Sequence, residues 1–539
     1  MMQAAATMPR LRLEDFAEWM EARGFERVET HISSVFLGAD EVYKIKKPVD
    51  LGFLDFSTLD KRREACRAEV ELNRRLAPEA YLGALPVVLT DDGFRFGGEG
   101  DPVEWAVHMR RLPDEDRADV LLRSGKLTPD HIRSLAQHLA DFHRSSTSDA
   151  HIASFGSRAV IEGNVRENFE QTRSLITRYV DADVASEIES WQLDILEARS
   201  DLFSERLQRG RVRDGHGDLR LEHIYFEGGA ADGRLAILDC IEFNERFRYA
   251  DVCADMAFVA TDLAACGRSD LSERFLADWA HFSNDFEFFP AVDFYESYRA
   301  FVRGKVLAMT EALGVHDVKT REELRSEARR HFLLAQASER RPLAQPQLLA
   351  VGGGIASGKS SVAGWLGEQL NCPVVSSDWT RKWLLGREPL EQAGEEPFEG
   401  GYSAAATARV YREVLERAAR VLESGRSVVV DASFRTRISR SLLRRLASER
   451  GLEFHFIECR ASEPTCRERL QQRQQAESVS EGRLEVFDAF LQSSEEVREL
   501  PPAQHVILDA DRSLEETISQ LRHSESLGDS LRGDGSLEP

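Results

Sequence analysis

The stretch VGGGIASGKSS, residues 351–361, limits what this chain can fold into more than any other feature. Residues 353–360 satisfy G-x-x-x-x-G-K-[ST], a loop whose backbone N–H groups turn inward onto phosphate oxygens at a helix N-terminus. Such a loop needs a strand before it and a helix after it. The sequence supplies both, with LLAVG on one side and a helical segment from Ser360 on the other. CPVVSSD, SVVVDAS and EFHFIEC then read as further strands separated by helical segments, one of them starting at Ala404. This alternation predicts an α/β domain with a parallel sheet wrapped by helices. Gly353, Gly354, Gly358, Lys359, Ser360 and Ser361 are the candidate nucleotide-binding residues. Lys359 would reach the β/γ-phosphates and the Ser360 hydroxyl would ligate Mg²⁺. A dinucleotide fingerprint fails, because Ser357 stands where its third glycine would be. The remaining alternative is a glycine-rich turn with no ligand.

At 539 residues the chain is too long for one ordinary core. The run SERRPLAQPQ, residues 338–347, has two prolines and little apolar content and reads as a linker. We therefore expect a first domain over 1–337, a P-loop domain over 348–523 and a disordered tail over 524–539. The 42% apolar and 30% charged composition is that of a soluble folded protein. A net charge of −23 argues against an extended nucleic-acid surface, which needs a basic face, though a local basic groove stays open. The seven cysteines show neither a C-x-x-C pair nor zinc spacing, as expected for free thiols in a reducing cytoplasm. There is no eighteen-residue apolar run and no continuous h-region at the N-terminus, so no membrane segment or secretion signal is expected.

Upstream, Leu13, Phe16, Ala17 and Met20 fall on one helical face. SSVFLG and EVYKIKK read as strands around the turn AD, followed by the charged helix STLDKRREACRAEVELNRRL, the strand VEWAVHMRRLP and the helix HIRSLAQHLADFHRS. Val165, Phe169, Thr172 and Ile176 keep helical spacing, as do Val184, Ile188, Trp191 and Ile195. LAILDCIEF reads as a strand.

In the P-loop domain, Asp378 follows the second strand in VVSSDWTRKWL, Asp431 ends the third in SVVVDASF, and CRERLQQR carries Arg467, Arg469 and Arg473. This order resembles the P-loop kinases related to polynucleotide kinase, gluconate kinase and zeta toxins, over about residues 348–500. The resemblance implies that Asp378 takes the acceptor hydroxyl's proton and that Arg381 binds the acceptor. It also implies that Asp431 lies near Mg²⁺, with Arg469 and Arg473 as lid arginines over the phosphates. The chemistry agrees, because phosphoryl transfer needs alignment and charge neutralisation more than covalent catalysis. Read from the residues alone, Asp378 also suits a helix N-cap and the arginines a solvated helix face. A motor of the AAA type is the competing use of a P-loop. SVVVDAS ends in one acid followed by small residues rather than in an acidic pair, which favours a small kinase.

The first domain carries GHGDLRLEHIYF, residues 215–226, a charged loop feeding a strand. His216-Gly217-Asp218, with a polar residue five positions after the aspartate, has the layout of a kinase catalytic loop. Together with ILDCIEFNERFRYADVCADMAF, it resembles the aminoglycoside phosphotransferase and choline kinase family, over about residues 30–335, and in particular a bacterial branch fused to a P-loop domain. The resemblance implies a bilobal α+β, protein-kinase-like fold. Asp218 would be the catalytic aspartate, Asp239 the metal aspartate, and His216 and Asp255 would support the loop. In VYKIKK the phosphate lysine would be Lys44 or Lys46, two residues apart on one face, held by Glu69. HMRRLP resembles the hinge segment that meets adenine. The sequence departs from the family at His223, where most members have asparagine. Mg²⁺ prefers oxygen, so a weakened metal site, a bridging water or lost catalysis would follow. HISSVFLGAD offers only Gly38 as a phosphate-loop glycine. His143, at a helix end, reads as a cap. Without a nucleotide role, the loop would be an ion-pair cluster built on Arg220 and Glu222.

The combined expectation is a cytoplasmic chain with two ATP- and Mg²⁺-using modules. Each would transfer the γ-phosphoryl group to a hydroxyl of a small molecule or to a 5′-hydroxyl. The alternative is a non-catalytic ligand-binding first domain beside a P-loop kinase or nucleotide switch.

Overall fold

The computed structural model describes residues 13–52, 54–314, 317–336, 345–388, 391, 399–473, 484–524 and 527. It divides into two compact units, one of Met1–Cys266 and Tyr298–Ala335, the other of Gly267–Ser297 and Gln336–Pro539.

The first unit opens on a six-stranded antiparallel sheet of β1 (Glu26–Glu29), β2 (Ser33–Leu37), β3 (Glu41–Lys46), β4 (Tyr81–Thr90), β5 (Gly93–Phe96) and β6 (Pro102–Arg110). Its order is β1-β2-β3-β6-β4-β5. Strand alternation decides what each face buries. Tyr43 and Ile45 of β3 pack with Phe16, Ala17 and Met20 of the helix Leu13–Glu21, the face its sequence spacing predicts. Val42 points the other way, into a core with Cys66 and Val70 of the helix Leu59–Asn73. Lys44 and Lys46 share the parity of Val42, so both are carried toward that second helix. Thr58 caps this helix by accepting from the Lys61 N–H.

The rest of the unit is mainly helical and includes Pro129–Ser145, Arg158–Thr172, Ala182–Ala198 and Cys253–Ala265. Helix Ala182–Ala198 buries Ile188, Gln192 and Leu196, a stripe turned slightly from the predicted face of Val184, Ile188, Trp191 and Ile195. Two short antiparallel ladders frame the charged loop. β7 (Val212–Asp214) pairs with β10 (Tyr249–Asp251), and β8 (Ile224–Phe226) pairs with β9 (Leu235–Ile237). The strand expected in LAILDCIEF therefore ends before Asp239, whose φ of 66° lies in the left-handed region and cannot continue a ladder.

The second unit is built on the parallel sheet β12-β13-β11-β14-β15, with β11 (Gln347–Gly353), β12 (Val374–Ser376), β13 (Val428–Asp431), β14 (Glu453–Arg460) and β15 (His505–Asp509). Leu349, Val351, Val429, Ile457 and Leu508 from the strands close its core with Val362 and Leu366 of the helix Lys359–Leu370. Residues 267–297, expected from the sequence within the first domain, pack with this unit. The physical reason is a set of polar anchors within the unit. The Arg426 guanidinium donates to Glu273 at 2.7 Å and to Asp293 at 2.9 Å, and Arg417 donates to the Asn284 side chain at 2.8 Å. The His281 and Trp379 rings lie 4.2 Å apart, centre to centre. Most of the expected linker 338–347 and of the tail 524–539 lies outside the described residues.

Candidate nucleotide and phosphoryl-transfer sites

In the first unit the two lysines of β3 meet one carboxylate. Lys44 Nζ stands 2.9 Å from Glu69 Oε1, and Lys46 Nζ stands 2.7 Å from Glu69 Oε2. Lys44 also donates to Asp239 Oδ1 at 2.7 Å, while Lys46 pairs with Glu242. Lys46 is fully buried, and Lys44 keeps 14% of its side chain exposed. Lys44 is therefore the lysine that joins Glu69 to Asp239, and Lys46 lies behind it. Burial opposes the charge of Lys44, but Asp239 and Glu69 outweigh it and hold the ammonium well above its usual range. Lys44 in turn keeps the Asp239 carboxyl well below the usual carboxylate range, against burial. Burial raises Glu242. The Asp239 backbone N–H donates to Tyr81 Oη at 3.1 Å and that of Cys240 to Asn73 Oδ1 at 2.8 Å, which fixes the turn carrying the acid. Glu242, Tyr81 and Asn73 were not singled out in the sequence. Only their closeness to Asp239 and Glu69 along the chain could have marked Glu242 and Asn73.

The charged loop is organised from beneath by Asp255. Its carboxylate accepts the His216 N–H at 2.8 Å and the Gly217 N–H at 2.9 Å, and His143 Nε2 stands 3.2 Å away. Burial raises the Asp255 carboxyl, but His143 and His216 together with the backbone donor bring it below the usual range. His143 is thus a buried partner of Asp255 rather than a helix cap. His216 donates through Nε2 to the Leu238 carbonyl at 3.0 Å and accepts the Asp218 N–H at Nδ1, 3.3 Å away. Burial pushes this imidazole down to about 4, so it is neutral. Gly217 has φ 89°, and a Cβ there would meet the Phe247 carbonyl oxygen at 2.8 Å. These contacts leave the Asp218 side chain one-third exposed at the loop crest. His223 donates from Nδ1 to the Asp218 carbonyl at 2.9 Å, and its Nε2 stands 3.8 Å from Asp239 Oδ2 and 3.8 Å from Glu222 Oε1. Arg220 does pair with Glu222, so the ion pair foreseen for the loop forms beside Asp218. Gly38 lies between β2 and β3 against Phe25, and the β1–β2 connection, Thr30 to Ile32, has no glycine.

In the second unit the candidate residues follow the C-terminal ends of parallel strands, the edge where open α/β sheets bind ligands. β11 runs beside β13 with Val351 opposite Asp431, so the loop after β11 and the acid ending β13 are neighbours. Gly353 has φ 146°, and a Cβ there would lie 2.5 Å from the Cys459 carbonyl oxygen. Gly358, with φ 87°, is the N-cap of the helix Lys359–Leu370, on whose first turn lie Ser360 and Ser361. Lys359 Nζ lies 3.4 Å from the Gly354 carbonyl. Arg469 reaches over the loop, donating to the Ala510 carbonyl at 2.7 Å and to the Ala356 carbonyl at 3.4 Å. A cavity of about 360 Å³ opens there, lined by Ser357, Gly358, Ser361, Arg469, Arg512 and Thr517 among others. Arg467 pairs instead with Glu463 and Asp488 on a solvated face. Arg473 ends the helix Glu463–Arg473, and its side chain lies outside the described residues. Asp378 is not the N-cap of its helix, Ser377–Leu384. Ser376 holds that position and Asp378 lies in the first turn. Arg381 is buried, donates to the Gly401 carbonyl and stacks 4.4 Å from the Tyr402 ring centre.

Among the described residues, no three His, Cys, Asp or Glu side chains form a closed metal group. A metal ion in either unit would therefore take most of its ligands from nucleotide phosphates and water. The Ser360 hydroxyl and Asp431 carboxylate are oxygen donors and suit Mg²⁺. In the first unit the pair is Asp239 and the His223 imidazole, and the latter does not suit Mg²⁺.

Residues 51–295 match the family described as "Phosphotransferase enzyme family", and residues 348–497 match the one described as "AAA domain". The strand of the second match that lies beside the P-loop strand ends in the single acid Asp431. The chain is 34% identical over 442 residues to "Uncharacterized protein Rv2004c" of Mycobacterium tuberculosis, covering 82% of this chain and 85% of that protein. Among solved structures, an aminoglycoside phosphotransferase from Alicyclobacillus acidocaldarius aligns with 62% of this chain and 98% of its own, at 13% identity and a TM-score of 0.31. A gluconokinase from Sinorhizobium meliloti aligns with 36% of this chain and 94% of its own, at 22% identity and a TM-score of 0.26.

Proposed function

Because this chain belongs to the family in which an aminoglycoside-phosphotransferase-like domain is followed by a P-loop kinase domain, we propose that both domains bind ATP and transfer its γ-phosphoryl group to hydroxyl acceptors. The observation that carries the reading is the Lys44 ammonium, which joins Glu69 to Asp239 beside the Asp218 loop. Lys44 would hold the α/β-phosphates, with Glu69 fixing its direction. Asp218, at the crest of a loop pinned by Asp255, would take the acceptor hydroxyl's proton. In the second domain Lys359 and the N–H groups of Gly354, Gly358, Ser360 and Ser361 would hold the β- and γ-phosphates. Asp378 would take the proton there, and Arg469 would cover the phosphates, with Arg381 and Arg473 toward the acceptor and lid. A Mg²⁺ ion held by Ser360 and Asp431 would neutralise charge on the transferring group. The acceptor would be a small molecule or a 5′-hydroxyl.

A second reading, in which the first domain binds nucleotide without turnover, is favoured by the imidazole of His223 near Asp239. The deciding experiment is an ATP-consumption screen over sugars, aminoglycosides, nucleosides and 5′-hydroxyl oligonucleotides. It would be run on the full chain and on its Asp218→Asn and Lys359→Ala variants. Acceptor-dependent turnover lost in one variant assigns that acceptor to one domain. Turnover indifferent to both substitutions contradicts the proposal.

A further inference from the structure

We propose that the first unit's metal site is a mixed nitrogen–oxygen site, built from His223 Nε2 and Asp239 Oδ2, that selects a first-row transition ion such as Mn²⁺ over Mg²⁺. The inference rests on the reading of this unit as a nucleotide site and adds the identity of its metal.

The first ground is the tautomer. A carbonyl oxygen only accepts, so the 2.9 Å contact from His223 Nδ1 to the Asp218 carbonyl engages Nδ1 as a donor and makes Nε2 the ring nitrogen open to a metal. Metal-binding histidines are commonly oriented in this way, by donating the other ring N–H to a carbonyl or carboxylate. The second ground is direction. Nε2 lies 3.8 Å from Asp239 Oδ2 and 3.8 Å from Glu222 Oε1, with no hydrogen bond to either. Two ligands about 2.1 Å from one ion stand roughly 3–4 Å apart, so this spacing suits a shared cation. Asp239 Oδ1 is engaged by Lys44 at 2.7 Å, which leaves Oδ2 as the oxygen turned to the imidazole. Glu222 is held by Arg220 and stands as a neighbour that favours positive charge rather than as a committed ligand.

The third ground is donor chemistry. Mg²⁺ gives up its water for oxygen ligands and takes imidazole poorly, whereas affinity for a site that includes nitrogen rises along the first row from Mn²⁺, the weakest of the series and the one that paramagnetic resonance reads. No third protein ligand converges on the pair among the described residues. The remaining positions would thus fall to phosphate oxygens and water, and selection would rest on the one nitrogen.

The test uses the full chain carrying Lys359→Ala, so that the P-loop domain contributes no metal–nucleotide complex. Mn²⁺ and a non-hydrolysable ATP analogue are added, and pulsed electron paramagnetic resonance reads nitrogen coupled to bound Mn²⁺. The expected result is a histidine ¹⁴N coupling that changes to ¹⁵N with labelled histidine. In His223→Asn the coupling should vanish, with about a tenfold loss of Mn²⁺ affinity and no loss for Mg²⁺. The chain with His223 intact gives the coupling by itself, so the result does not depend on the His223 variant folding. If Mn²⁺ binds and is released by Asp239→Asn, yet shows no nitrogen coupling, this inference is overturned and the nucleotide reading stands. If the Lys359→Ala chain binds no nucleotide, the reading of the first unit fails and the inference fails with it.

Discussion

Two lysines on one face of β3 competed for one role in the sequence, and packing separates them. Lys46 is fully buried between Glu69 and Glu242, while Lys44 reaches outward to Asp239. Removing Lys46 leaves buried Glu242 without its ion-pair partner and Glu69 with Lys44 alone. Lys46→Met is therefore expected to cost about 3–5 kcal/mol in denaturant unfolding. Lys44→Met should be milder in stability and should abolish nucleotide binding by this unit. Equal stability losses would place both lysines in the same role. His216 gives a pH dependence. Its ordinary value of 6.5 is pushed down to about 4 by burial, so the unfolded chain binds the extra proton between those values. The stability gained by keeping it neutral is complete above about 6.5 and is lost as the pH falls toward 4. The thermal midpoint of the first unit should drop across that window, and His216→Asn should flatten the slope. The aspartates, Glu69 and the lysines were legible as residue types in recognisable order. Glu242 stands close after Asp239, but its pairing with Lys46, 196 positions away, has no local pattern to show it.

Elements were read best where their period was clean. β3, β6, β11, β13 and β14 alternate or run apolar, and all were expected. β4 was missed, since YLGALPVVLT carries a glycine and a proline that weaken a strand signal, and β5 spans only four residues. β15, HVILD, is a five-residue edge strand in which only Leu508 is buried, too short a run to stand out. The loop element of the second unit bears its own prediction. Gly353 combines φ 146° with a space already taken by the Cys459 carbonyl. Gly353→Ala should therefore displace the loop and weaken ATP binding by at least tenfold in calorimetry. Arg469→Ala removes a cover rather than a bend, so it should lower affinity while leaving the unfolding temperature nearly unchanged. An unaltered affinity in Gly353→Ala would mean the loop does not cradle phosphate.

For the molecule as a whole, the parallel sheet and the antiparallel kinase-like sheet were both legible, while the packing of residues 267–297 with the second unit was not. Those helices look like their neighbours in sequence, and what assigns them to the second unit is the set of long-range pairs centred on Arg426 and Arg417. Arg426→Leu takes a buried cation away from Glu273 and Asp293, and should destabilise the second unit by about 3–5 kcal/mol. On the proposed function, one chain holds two nucleotide sites. The most direct measurement is the stoichiometry of ATP-analogue binding to the full chain by calorimetry, with Mn²⁺ and Mg²⁺ both present. Two sites are expected, one lost in Lys359→Ala and the other in Asp239→Asn. A single site, abolished by Lys359→Ala and indifferent to Asp239→Asn, would contradict it.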